Sequence, residues 1–234
     1  MIKTIGFDAD DTLWHNETLF VATHGKLCEL LSRYHDAAKV DDTLNTTERR
    51  NLARYGYGIK SFTLSAIETA IDLSDGQISA QEIREIIALA HDMLDHPVEM
   101  LDGVPETVAQ IAATGRYHML IITKGDLRDQ SRKFNLSQLD PHFADLEVVT
   151  EKDPATYDRI LRRHGIARDE FLMVGNSVKS DILPVLDLGA HAAHVPYPHT
   201  WVLDRADREP SGPRFHQLET ITDLPALLDQ LKQA

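Results

Sequence analysis

The chain has 234 residues, of which 42% are hydrophobic and 26% are charged, and its formal net charge is -13. This length fits one core domain with an insertion, since roughly 150 residues is typical of a single domain. The negative charge opposes binding to nucleic acid or to anionic lipid, so we expect neither as a partner. The single cysteine, Cys28, excludes an intrachain disulfide and favours a reducing compartment.

The first polar motif begins at the eighth residue, which leaves no room for a signal peptide. No apolar run approaches the roughly 18 residues that a membrane span needs. We therefore expect a cytoplasmic protein that does not contact a membrane. The sequence does not predict the oligomeric state.

A short apolar segment near the start of the chain, Ile5 to Phe7, is followed by Asp8, Asp10 and Asp11. In an extended backbone the carboxylates of Asp8 and Asp10 face the same side, because they lie two residues apart. Charges of one sign at the end of a buried strand are costly unless a cation or a chemical task holds them there. This stretch is therefore the predicted centre of a functional site.

From Glu17 to about Pro97 the apolar residues follow the periodicity of amphipathic helices, and Ser79 to Glu82 has the form of a capping box. The segments that can form helices span residues 20–34, 47–55, 62–73 and 83–94. We therefore predict an all-helical domain over residues 16–97.

After Pro97 the pattern changes to alternating strands and helices. The predicted strands span residues 118–122, 146–149, 171–174 and 192–195, and the predicted helices span residues 105–113, 157–164, 182–188 and 224–231. Alternating units of this kind predict an α/β fold, a doubly wound parallel sheet of the Rossmann-like type. We expect this core domain to consist of residues 1–15 and 98–234, with ligands beyond the carboxyl ends of its strands.

Polar residues follow three of these strands, where ligands are expected. Thr123 and Lys124 come after one strand, and a hydroxyl with free backbone N–H groups can hold phosphate oxygens without adding charge. Lys152 comes after the next strand, where a fixed ammonium would neutralise phosphoryl oxygens. Asn176 and Asp181 come after a third strand.

Asp8-Ala9-Asp10-Asp11-Thr12-Leu13 resembles the first motif of the haloacid dehalogenase-like superfamily, which is Asp-x-Asp-x-Thr and an apolar residue. Three further motifs follow in the family's order, and the resemblance covers residues 2 to about 196. It implies that Asp8 is a nucleophile that forms an aspartyl phosphate. It also implies that Asp10 protonates the leaving group and later deprotonates the attacking water. Asp10 favours phosphate esters, because the dehalogenases of the superfamily lack an acid at this place.

The metal expected with this resemblance is Mg²⁺, which prefers oxygen ligands and keeps positions for water and phosphate. Its candidate ligands are Asp8, Asp10 through its backbone carbonyl, Asn176 and Asp181. Asn176 stands where the family commonly has an acid, and its amide oxygen brings no charge, so Asp181 becomes the principal carboxylate of this motif. The sequence leaves open whether Asn176, Asp181 or both contact the metal. The 12 histidines show no zinc-binding spacing.

The helical insert resembles the cap domain that family members use to cover the site and select the leaving group. Its candidate substrate loop surrounds Gly56 and Gly58, where glycine permits a close approach. An ordinary turn between two helices is an equally good interpretation. The candidate substrate-binding residues of the whole chain are Arg54, Tyr57, Lys60, Thr123, Lys124 and Lys152.

The sequence thus predicts a magnesium-dependent phosphatase of small organic phosphate monoesters. Its candidate catalytic residues are Asp8, Asp10, Thr123 and Lys152. Two alternatives stay open: a phosphomutase acting on sugar phosphates, and a catalytically inactive binding protein of the same fold. The expected partner is a small phosphorylated metabolite that the sequence does not identify, and loop 197–201 has no predicted role.

Overall fold

The structure, a computed structural model, describes residues 1–232. It divides into two compact units. The first contains residues 1–15, 98–124 and those from Gln130 on, and the second contains residues 16–97 and 125–129. The segment 125–129, which we had placed with the core, groups with the second unit. In the described part of the chain, no helix has the length and apolar character needed to cross a membrane.

The first unit is built on a parallel sheet of six strands. They are β1 (Thr4–Phe7), β2 (His118–Lys124), β3 (Asp145–Val149), β4 (Phe171–Gly175), β5 (His191–His194) and β6 (Phe215–Gln217). The spatial order is β3-β2-β1-β4-β5-β6, and each neighbouring pair is parallel. The direction of winding reverses at β1, which confirms the predicted doubly wound α/β fold.

Helices form most of the rest of the described chain. They are α1 (Glu17–Leu31), α2 (Ala37–Tyr55), α3 (Ile59–Leu73), α4 (Ala80–Asp95), α5 (Val104–Ala113), α6 (Leu127–Leu136), α7 (Pro154–Arg163), α8 (Leu183–Asp187) and α9 (Leu224–Gln230). A π-helical turn, Val178–Ile182, precedes α8. Short 3-10 helices span Asp140–His142, Arg168–Glu170, Val202–Asp204 and Ile221–Asp223.

The sheet is buried on both faces because its strands alternate between two apolar cores. Ile5, Phe7 and Ile121 belong to the same core as residues of α5 and α9. Leu120 and Phe171 belong to the other core, with residues of α7 and α8. This arrangement explains why the strands read as continuous apolar runs.

The second unit has an apolar core of its own, to which α1, α2, α3 and α4 all contribute. Its four helices confirm the predicted helical insert. The predicted capping box of α4 is present, because the Ser79 hydroxyl accepts from Glu82 N at 3.2 Å and Glu82 Oε2 accepts from Ser79 N at 2.8 Å. Helix α2 begins ten residues before the predicted Thr47, since the Asp36 carboxylate accepts from Lys39 N at 2.9 Å and caps it there.

Two histidines link β5 to the edge strand β6. The rings of His191 and His216 stack with centroids 5.4 Å apart, and Nδ1 of His191 lies 3.1 Å from Nε2 of His216. Burial lowers the pKa of both rings, and the neighbouring His216 lowers that of His191 further. The folded pair therefore resists protonation.

We predict that this pair makes folding stability depend on pH. Below about pH 6.5, the pKa of an unperturbed histidine, the unfolded chain binds protons that the folded pair excludes, so stability is lost as the pH falls. The His216→Gln variant should lose less stability between about pH 7.5 and pH 5.5 than the wild type in urea unfolding. His91→Gln, which changes an exposed histidine, is the control. Equal losses in wild type and His216→Gln would contradict the prediction.

Candidate active site

The first motif lies at the carboxyl end of β1. Asp8 N donates to Val174 O at 2.9 Å, so the strand pairing continues to the predicted nucleophile. The chain then turns, with the N–H of Leu13 donating to Ala9 O at 2.8 Å and Asp11 in the left-handed region at φ 63°. The extended backbone that we predicted through Asp10 therefore ends at Asp8, and the turn brings the Thr12 hydroxyl 3.0 Å from Asp8 Oδ2.

Lys152 connects two predicted site carboxylates. Its Nζ lies 2.5 Å from Asp8 Oδ1 and 2.6 Å from Asp181 Oδ1. The side chains of Lys152, Asp8 and Asp181 are only 2%, 9% and 0% exposed. The structure thus brings together residues from the ends of β1 and β3 and from the π-helical turn after β4.

Burial and charge explain the protonation of this group. Burial raises the pKa of Asp8 to about 7, because the attraction of Lys152 offsets only part of the desolvation and Asp181 adds repulsion. The pKa of Lys152 is raised, since two carboxylates outweigh the effect of its burial. Lys152 therefore stays positively charged. Asp8 and Asp181, in contrast, are both stabilised by this one ammonium group.

Small residues of the fourth motif fix the position of Asp181. Its Oδ2 accepts from Ser177 N at 3.0 Å, and the Ser177 hydroxyl accepts from Ser180 N at 3.0 Å. A Cβ added at Gly175 would lie 2.3 Å from Asp181 Oδ2. Only glycine at position 175 leaves room for the carboxylate where it is.

Asn176 is joined to the first motif through Thr12. The Thr12 hydroxyl lies 3.2 Å from Asn176 Oδ1 and accepts from Asn176 N at 3.1 Å. On the other side, His194 Nε2 lies 3.0 Å from the backbone oxygen of Asn176. The amide oxygen of Asn176 and the carboxylate of Asp8 therefore lie on either side of one hydroxyl, and their role as metal ligands stays a prediction.

Asp10 has a separate set of partners. Its Oδ1 accepts from Lys133 Nζ at 2.6 Å and from Trp14 Nε1 at 2.7 Å. Its Oδ2 accepts from Gln130 Nε2 at 2.8 Å. These three donors were missing from our prediction.

The second motif ends β2. Thr123 is buried, and its hydroxyl donates to Lys124 O at 3.3 Å. The ammonium of Lys124, a candidate for substrate binding, donates to Ser180 Oγ at 2.8 Å and lies 3.1 Å from Asp204 Oδ1. Lys124 and the Ser180 hydroxyl thus bind the loop that contains Asp204.

The remaining candidates lie in the second unit. Arg54 is exposed near the end of α2, and Tyr57 is half-buried in the turn before α3. Lys60 Nζ pairs with Asp126 Oδ2 at 2.9 Å. Their binding roles stay predictions.

One other group of side chains has the composition of a metal site. Ligand atoms of Asp145, Glu147 and His164 lie within 4.8 Å of one another. Glu147 is already paired with His164 Nε2 at 2.6 Å and with Arg163. These contacts account for the cluster as an ion-pair network.

The four sequence motifs lie at the carboxyl ends of β1, β2, β3 and β4 in a doubly wound sheet. A family model described as haloacid dehalogenase-like hydrolase matches residues 2–189. This chain belongs to that family. The resemblance in the motifs, and the prediction that the protein is an enzyme, are therefore confirmed.

Individual relatives extend the comparison. A haloacid dehalogenase-like hydrolase from Xanthomonas campestris is 38% identical, with a TM-score of 0.88 over 99% of this chain and 92% of that one. The glyceraldehyde 3-phosphate phosphatase of Pyrococcus furiosus is 24% identical over 99% of this chain and 94% of its own length. The magnesium-bound HAD-hydrolase YfnB from Bacillus subtilis, at 15% identity, has the same fold, with a TM-score of 0.65 over 97% of this chain and 99% of that one.

The close contact at Gly175 gives a test of the site's packing. Gly175→Ala should lower the free energy of unfolding by about 1–3 kcal/mol, because Asp181 must move out of its buried position. Gly25→Ala, in the middle of α1 with no atom near the added Cβ, should instead stabilise by about 0.5–1 kcal/mol. Melting temperatures of the two variants check this, and an unchanged value for Gly175→Ala would contradict it.

Proposed function

We propose that this hydrolase is a magnesium-dependent phosphatase that acts on small organic phosphate monoesters through an aspartyl phosphate at Asp8. The observation that supports this most is the buried contact of Lys152 with Asp8 at 2.5 Å. A carboxylate in contact with a fixed ammonium is suited to attack a phosphoryl group, because the ammonium offsets the charge of both.

In the first step, an oxygen of Asp8 forms a bond to phosphorus and the bond from phosphorus to the ester oxygen breaks. Lys152 stabilises the negative charge on the phosphoryl oxygens. Thr12 orients Asp8 through the hydrogen bond to Oδ2. Thr123, at the end of β2, is proposed to donate its hydroxyl to a phosphoryl oxygen. Asp10 gives a proton to the leaving alkoxide.

In the second step, water attacks phosphorus and the bond between Asp8 and phosphorus breaks. Asp10, now a carboxylate, accepts a proton from the attacking water. Inorganic phosphate leaves and Asp8 is regenerated. The two proton transfers by Asp10 balance over one turnover, so no other reactant is required.

The residues present fit Mg²⁺. When both carboxylates are ionised, Asp8, Asp181 and Lys152 together carry one net negative charge in a buried place, and Asn176 adds a neutral oxygen. These oxygen donors suit a hard divalent cation, because the single ammonium of Lys152 does not neutralise both carboxylates. Asp8, the backbone carbonyl of Asp10, Asn176 and Asp181 would hold it. When bound, Mg²⁺ would supply charge that neutralises the phosphate and its carboxylate neighbours.

The proposed substrate is a small phosphorylated metabolite. The relative from Pyrococcus furiosus carries the name of a glyceraldehyde 3-phosphate phosphatase, which supports this class. The proposed cap is the helical unit of residues 16–97, with Arg54, Tyr57 and Lys60 as its substrate residues. A cytoplasmic location suits such a substrate.

The test of the reaction is phosphate release from a panel of phosphorylated metabolites, with Mg²⁺ or with EDTA. We expect turnover only with Mg²⁺. Asp8→Asn should abolish it, because an amide does not replace the nucleophilic carboxylate, and acid quenching of the wild type should trap phosphate on Asp8 alone. Asn176→Ser, a neutral change in the same site, should keep measurable turnover. Activity of Asp8→Asn within about tenfold of wild type would rule out this nucleophile.

The role of Asp10 predicts a dependence on the leaving group. Phenol has a pKa near 10, whereas p-nitrophenol leaves more easily and needs little proton transfer. Asp10→Asn should therefore lower kcat for phenyl phosphate about 10²- to 10⁴-fold and affect p-nitrophenyl phosphate far less. Equal losses with both esters would mean that Asp10 has a structural or metal-binding role only.

A further inference from the structure

Helix α6 carries two buried side chains that point back to the first motif. Gln130 and Lys133 are one helical turn apart, and their donor groups lie 2.8 and 2.6 Å from the two oxygens of Asp10. The Lys133 side chain is 9% exposed, and Gln130 as a whole is 3% exposed. Trp14 completes the set with its indole N–H. None of the four motifs contains Gln130 or Lys133.

We propose that Gln130 and Lys133 are positioning residues that hold the Asp10 carboxylate in the orientation needed for proton transfer to the leaving group. This inference rests on the proposed function, in which Asp10 is the acid. Both residues act through Asp10, and neither is assigned a contact with the substrate.

The distribution of donors supports this role. Oδ1 of Asp10 accepts from both Lys133 and Trp14, which occupies its two lone pairs. Oδ2 accepts from the amide of Gln130 and keeps one lone pair. The arrangement therefore selects Oδ2 as the atom that carries the transferred proton. With no donor on Oδ1, either oxygen could turn to the substrate.

The contacts of the Gln130 amide fix its orientation. Its Nε2 donates to Asp10 and to Lys124 O, at 2.8 and 3.2 Å. Among the described residues, its buried Oε1 has no hydrogen-bond partner. The reverse orientation would place Oε1 against two acceptors, so the amide orientation is fixed. An unpaired buried acceptor is unfavourable, and a side chain chosen for packing alone would avoid it.

The experiment compares Gln130→Met with the wild type on phenyl phosphate and p-nitrophenyl phosphate. Methionine keeps the length of the side chain and removes both the donor and the unpaired oxygen. We expect kcat for phenyl phosphate to fall about 10- to 100-fold, with a small change for p-nitrophenyl phosphate and a melting temperature equal to or above that of the wild type. A purely structural residue would show the opposite: a lower melting temperature and equal losses on both esters.

Two further variants and a control complete the design. Lys133→Met should also lower kcat more for phenyl phosphate than for p-nitrophenyl phosphate. Gln130→Met added to Asp10→Asn should cause no further loss of kcat, because Gln130 acts through the Asp10 carboxylate. Asn135→Leu, which changes an exposed amide on the same helix, should behave as wild type on both esters.

The outcomes separate this inference from the function on which it rests. If Asp10→Asn loses phenyl phosphate activity selectively but Gln130→Met does not, the positioning role is wrong and the phosphatase mechanism stands. Additive losses in the double variant would also overturn the positioning role. If Asp10→Asn affects both esters equally, the acid role of Asp10 and positioning through it are both wrong.

Discussion

A single ammonium shared by two buried carboxylates is the contact on which the site depends. Lys152 follows β3, whereas Asp8 follows β1 and Asp181 lies in the turn after β4. Since β2 lies between β3 and β1, the side chain of Lys152 must extend past the end of β2. Removing one member of a buried ion pair typically costs about 3–5 kcal/mol, so this contact also stabilises the arrangement of the ends of β1, β3 and β4.

Paired charges make the site suitable for an anion in a strongly acidic chain. The net charge of -13 repels a phosphate at long range. At the carboxyl end of the sheet, however, Lys133 pairs with Asp10 and Lys124 pairs with Asp204. With both of its carboxylates ionised, the buried group around Lys152 carries an excess of one negative charge, which a divalent cation would reverse. Substrate attraction should therefore depend on the metal.

The sequence predicts the site where local rules apply and fails where side chains meet through tertiary packing. Asp8, Lys152 and Asp181 follow strands, so the topology of a parallel sheet is enough to bring them together. Gln130 and Lys133 reach Asp10 only because of how α6 is rotated about its axis, and no periodic pattern records that rotation. Asp204 lies in a three-residue 3-10 helix, which is too short to show a periodic pattern. Strand β6 was missed because three residues are too few to show alternation.

Asp8 and Asp10 show how two neighbouring acids in one motif acquire different environments. The extended backbone ends at Asp8, and the turn with Asp11 at positive φ separates their partners. Asp8 is almost fully buried. It contacts a hydroxyl and an ammonium, and the ammonium also contacts Asp181. Asp10 accepts from an ammonium, an indole and an amide, and its side chain is 22% exposed. An acid that is buried beside a fixed charge is suited to attack, whereas one near solvent with a defined free lone pair is suited to exchange protons. The turn between them therefore gives the two acids the different environments that their proposed functions require.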